Sequence, residues 1–160
     1  MIRHLFRVLI LAVGLSAAAL PALAPLPASA QGNAAPADPP SQLAMHDQQA
    51  IRQVIEAQLT AFQHDDGSKA FGYATPAIQQ KFGDAANFMA MVKSGYPAVY
   101  RPRSVAFDKL VDTEFGPDQI LRVIGPDGHA YTAHYIMQKQ PDGSWMINGC
   151  YLTRGTDQNV

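Results

Sequence analysis

From residue 47 to residue 67 apolar positions recur at helical spacing: Ile51, Val54, Ile55, Leu59 and Phe62 form one stripe, with Arg52, Gln53, Glu56, Thr60 and Gln63 opposite. The pattern predicts a long amphipathic helix capped by Asp47 and ending near His64, whose place in the last turn suits the helix dipole when charged. Gln58 interrupts the stripe. An amide at such a position needs partners or a wet cavity to avoid a cost of roughly 1–3 kcal/mol.

After a turn at Gly67 the sequence predicts three shorter helices, over residues 68–74, 76–82 and 85–94. Thr75-Pro76 opens the second, while Asp84 caps the third and Gly95 stops it. Phe88, Met91 and Val92 make an apolar face on the third, and Met89 and Met91 read as core filling. Residues 95–103 read as extended or turn-like, because a proline biases the residue before it away from the helical region.

The period then drops to two. Strands are expected over residues 104–114, 119–124, 130–140 and 144–152, separated by turns at Gly116-Pro117-Asp118, Gly125-Pro126-Asp127-Gly128 and Pro141-Asp142-Gly143. Three tight turns joining four strands give an antiparallel meander. Val105 and Phe107 share a face but Leu110 falls on the other, so a bulge is expected near Asp108 and Lys109. Tyr131, Ala133, Tyr135 and Met137 on the third strand, and Trp145, Ile147 and Tyr151 on the fourth, are assigned to the face that meets the helices. The opposite face, with Thr132, His134, Ile136, Met146, Asn148, Cys150 and Leu152, is too apolar to be comfortably wet. That predicts a homodimer through the outer sheet face.

The N-terminus changes what counts as folded. Arg3 and Arg7 precede an apolar run from Val8 to Leu20, and Ala28-Ser29-Ala30 is a small-x-small site that would release a chain beginning at Gln31. Residues 1–30 are therefore expected to be a signal peptide and the protein to be exported, periplasmic or secreted. Pro21, Pro25 and Pro27 argue against an uncleaved anchor, so no membrane span is expected after cleavage. Residues 31–44, rich in Ala and Pro, read as a flexible linker, residues 45–154 as a single domain and residues 155–160 as a tail. The folded part, about 115 residues, suffices for one core. Removing Arg3 and Arg7 from the 12 Lys and Arg leaves ten against 13 Asp and Glu, a net charge of −3. With no basic patch, nucleic acid is not an expected partner. Cys150 is the one cysteine, so no internal disulfide forms; it reads as a small buried side chain, with a free thiol or an intermolecular bridge as the alternative.

Helices followed by a meander resemble the nuclear-transport-factor-2-like (cystatin-like) cone. A narrower resemblance is to a bacterial family, the domain of unknown function numbered 4864. It rests on Ile51-Arg52, Val54 to Leu59, Ala61-Phe62, Asp65-Asp66, Gly95-Tyr96-Pro97, Val99 to Val105, Pro141 to Trp145, and Gly149-Cys150, which span nearly the whole domain. The resemblance implies an α+β fold in which a long N-terminal helix and short helices lie on a curved four-stranded antiparallel meander. It implies no activity, and the wider fold group includes both enzymes and plain binding domains.

A cone has an open end, and its cavity would lie between the long helix, the Pro-rich segment and the concave sheet face. An isomerase, dehydratase or hydrolase would need a carboxylate base beside a phenol; Asp65 or Asp66 with Tyr73 or Tyr100 are the candidates. Asp-Asp-Gly between helices is also ordinary turn and capping chemistry, the plainer reading. Candidate ligand-binding groups are Gln58, Tyr96, Arg101 and Arg103; the two arginines flank Pro102, a spacing that suits either clamping one anion or pairing with acidic residues. The histidines at 46, 64, 129 and 134 show no metal-ligand spacing, and neither a metal nor a cofactor is expected. The sequence therefore favours non-enzymatic binding of a small ligand or protein partner, with such an enzyme, or a structural accessory of an envelope complex, as alternatives.

Overall fold

The computed structural model describes residues 43–155; the predicted signal, nearly all of the linker and residues 156–160 of the tail lie outside the described residues. The helical period at the start of the domain produces α1, Met45–Gln63. Ile51, Ile55, Leu59 and Phe62 are all buried, as the stripe requires. Asp47 is not the cap. The helix starts two residues before it, Ala44 holds the cap position without a side-chain bond, and the Asp47 carboxylate turns toward the sheet.

Asp66 caps α2, Gly67–Gly72, by accepting from the Lys69 backbone N–H at 3.0 Å. Then come α3, Pro76–Phe82, and α4, Ala85–Gly95, where Asp84 accepts from the Asn87 N–H at 2.8 Å. The segment predicted as extended contains a further helical turn, α5, Pro97–Tyr100. Pro97 stands at the first helical position, where a missing N–H costs nothing, so the proline starts a turn instead of preventing one.

The four strands, β1 Ser104–Thr113, β2 Gly116–Ile124, β3 Ala130–Lys139 and β4 Trp145–Arg154, form one antiparallel sheet in the order β1-β2-β3-β4. Gly116-Pro117-Asp118 belong to β2; the turn before them is at Glu114-Phe115. It is closed by Thr113, whose hydroxyl donates to the Gly116 carbonyl at 2.6 Å, and Gly116 has a φ of 113°, open only to glycine without strain. The predicted β1 bulge is present: Phe107 pairs with Leu121 and Leu110 with Gln119.

A second bulge reverses part of the facing assignment. Ile136 pairs with Gly149 and Met137 with Ile147, leaving Asn148 as the extra residue. Trp145 and Ile147 are buried as expected, but beyond Asn148 the alternation flips. Cys150 and Leu152 now share the inner face with their cross-strand partners Tyr135 and Ala133. Tyr151 goes to the outer face, 46% exposed, and stacks on His134 with ring centroids 4.4 Å apart.

The architecture is thus α+β, with α1 and the short helices on a curved four-stranded meander. The helical half also reaches the free edge of β4. Ala74 forms a parallel bridge with Ile147, through Thr75 N–H to the Ile147 carbonyl and Ile147 N–H to the Tyr73 carbonyl, both at 2.9 Å. Among the described residues no helix is long and apolar enough to cross a membrane.

Candidate functional site

A cavity of about 380 Å³ lies between α1, α3, α4 and the inner face of β3 and β4. Its walls follow from the periodicities above: α1 presents Gln58 and Phe62, α4 presents Phe88 and Val92, and the sheet presents Tyr135, Ile147 and Cys150. Phe88 organises the helical wall, with the rings of Phe71 at 5.2 Å, Phe82 at 5.6 Å and Phe62 at 6.2 Å. Lys81 and Asn148 stand exposed at the rim.

Few polar groups interrupt this hydrocarbon lining. Gln58 is 3% exposed, and its amide donates to the Ala70 carbonyl at 3.1 Å, tying α1 to α2. Tyr96 borders the cavity, and partial burial raises its phenol pKa. Tyr135 is 1% exposed, and among the described residues its hydroxyl has no hydrogen-bond partner. Cys150, its cross-strand partner, is close enough to bias the phenol's proton equilibrium, but no hydrogen bond of acceptable geometry joins them. As a residue Cys150 is only half-buried, yet its thiol faces the wall, and burial pushes the pKa up to about 12. Burial raises the Tyr135 phenol well above its ordinary value too. Both groups are therefore neutral donors, and this deep wall carries no formal charge.

Of the residues singled out from sequence, the cavity brings together Gln58 and Tyr96. Asp66 is spent on the α2 cap, and Tyr73 contributes its main chain to the β4 edge. Asp65 has a left-handed φ of 57° and lies at the surface with its side chain 49% exposed. It accepts from the Tyr100 hydroxyl, from Arg101 Nη2 at 2.6 Å, and pairs with Lys93 at 3.2 Å. The Tyr100 hydrogen bond first, then Lys93 and Arg101, hold its carboxyl below the ordinary value, so it is a fixed anion and a poor base. Neither aspartate lines the cavity, so a carboxylate inside it beside a phenol is not the arrangement found.

The two arginines part company across the α5 turn. Arg101 also reaches the Gln63 carbonyl, whereas Arg103 Nη2 donates to the Pro126 carbonyl at 2.6 Å. Each is committed to a different loop, and together they form no anion clamp. Among the described residues no three His, Cys, Asp or Glu side chains gather as a metal site.

Tyr135 lies on the inner face, as its place in the alternation predicts, but no residue pattern signals that its hydroxyl is left alone. Strict alternation puts Cys150 on the outer face; the bulge at Asn148, masked in the sequence by Gly149, turns it inward.

The chain matches none of the curated proteins with which it was compared. Among solved structures, ActVI-ORFA from Streptomyces coelicolor is similar at 12% identity and a TM-score of 0.44, over 74% of this chain and 100% of that one. The family model described as a domain of unknown function (DUF4864) matches residues 44–160, the whole of the helical and sheet portion just described, and the chain belongs to that family.

Proposed function

We propose that this domain is a non-enzymatic binding module for a small, uncharged, mostly apolar molecule that carries a hydrogen-bond acceptor, held in the cavity between α1, α4 and the sheet. The observation that carries this reading is Tyr135, which lines the cavity and whose buried hydroxyl has no partner among the described residues. A hydroxyl left so costs roughly 1–3 kcal/mol, which an acceptor on a bound molecule would offset. The hydrocarbon wall supplies affinity and the neutral phenol and thiol supply orientation, the usual division of labour in small-molecule sites. Residues 1–30 support placing this activity outside the cytoplasm.

The test uses Prodan, an uncharged naphthalene fluorophore with one ketone acceptor. Saturable, blue-shifted emission is expected with the full chain. Tyr135→Phe, which removes the lone hydroxyl, should keep or gain stability in the free protein while weakening Prodan about tenfold. Val92→Trp should fill the cavity and abolish binding. Absence of saturable emission, or an unchanged affinity in Tyr135→Phe, overturns the proposal.

A further inference from the structure

A second hollow, of about 500 Å³ and open to solvent, lies on the outer face beside the β1–β2 turn, bordered by Thr113, Glu114, Phe115, Asp118, Ile136 and Tyr151. Two of its walls are aromatic rings left in water: Phe115 is 72% exposed and Tyr151 46%. Asp118 is the opposite, with a side chain 7% exposed. Its Oδ2 is bonded to His134 Nδ1 at 2.8 Å, and its Oδ1 is buried with no partner among the described residues. His134, stacked on Tyr151 with an interplanar angle of 3°, serves only the other oxygen.

A carboxylate has about four lone-pair sites, and a buried one with a single partner is costly. Among the described residues no lysine or arginine pairs with Asp118. The group that completes it must therefore donate a hydrogen bond, and a positive charge suits the carboxylate, the Glu114 carboxylate at the rim and the electron-rich faces of the two rings. With one oxygen free there is no fork for a bidentate guanidinium, which favours the compact, point-like ammonium.

We propose that this hollow binds an organic ammonium group, with an N–H donated to Asp118 Oδ1 and the attached alkyl chain lying beside Phe115 and Tyr151. The same chemistry is offered by a free alkylamine and by the end of a lysine side chain.

The test titrates the ¹⁵N-labelled full chain with n-butylammonium chloride, with sodium chloride at matched ionic strength, with n-butanol as the uncharged counterpart, and with N-acetyl-lysine-N-methylamide. Saturable amide shifts at Phe115, Asp118 and Tyr151 are expected with both amines and absent with the alcohol. Tighter binding of the lysine derivative assigns the site to a basic side chain; tighter binding of butylammonium assigns it to a free amine. Asp118→Asn should weaken binding at least tenfold. Phe115→Ala, a change at an exposed turn, should weaken it several-fold and keeps the test decisive where Asp118→Asn does not fold. Shifts that follow ionic strength alone, or an unchanged affinity in Phe115→Ala, overturn the proposal.

Discussion

The Asp47 carboxylate accepts a hydrogen bond from the indole nitrogen of Trp145 at 2.9 Å, joining the first turn of α1 to the start of β4 across 98 residues of chain. Lys139 of β3 reaches the same carboxylate at 3.0 Å, so one side chain collects the helix and two strands. Asp47→Ala leaves the Trp145 N–H without its partner. The expected outcome is a melting temperature lower by a few degrees, with Prodan binding retained, because neither Asp47 nor Trp145 lines the cavity.

Acid stability should follow from four carboxylates held below their ordinary value of 3.8: Asp47 by the Trp145 and Lys139 hydrogen bonds, Asp65 by Tyr100 and Lys93, Asp127 by the Tyr131 hydroxyl, and Asp142 by Ser144. A depressed folded-state pKa means that the unfolded chain takes up protons first. The contribution is therefore complete above the unfolded value and is lost as pH falls through the folded ones. Thermal melts across pH 2 to 6 should show a plateau at the upper end and a steep decline below about 4. A melting temperature that stays level down to pH 2 contradicts this.

Gln58 looks from sequence like a polar error in an apolar stripe, and its bond to the Ala70 carbonyl shows what it does. In Gln58→Leu that carbonyl keeps only the long contact from the Tyr73 N–H at 3.4 Å. The gain from an apolar side chain against Phe62 and Phe88 offsets part of the loss. A net destabilisation of about 1 kcal/mol is expected, read as a lower urea midpoint at unchanged slope.

Cys150 should be nearly inert. With its pKa near 12, the thiolate fraction at pH 8 is about a thousandfold below that of a free cysteine. Iodoacetamide should label the native protein slowly and the urea-unfolded protein at the ordinary rate. A native rate equal to the unfolded one would place the thiol in water.

The elements were legible where one residue class alone dictates the outcome. Pro76, Asp84 and the Ile51–Phe62 stripe define their helices by local chemistry, and Leu110 betrays the β1 bulge because it breaks a visible alternation. The β4 bulge left no such mark: Trp145, Ile147 and Tyr151 keep the same parity, with Gly149 silent between them, so the flip is set by pairing with β3. The site was less legible than the fold. Asp65, Asp66, Arg101 and Arg103 have the right chemistry for a site, yet turns and caps claim them. Tyr135 and Asp118 stand out only through a missing partner, a property of the assembled surroundings and not of residue type.

The bridge between Ala74 and Ile147 has a consequence for behaviour at high concentration. β4 ends the sheet, and a bare terminal strand is a template on which a neighbouring molecule's strand can grow. Tyr73 to Thr75 occupies the hydrogen-bonding groups of Ile147 with the chain's own backbone, and the bulge at Asn148 interrupts the ladder immediately beyond. The molecule thus carries a built-in plug against strand-by-strand polymerisation, held in place by the same helices that wall the cavity.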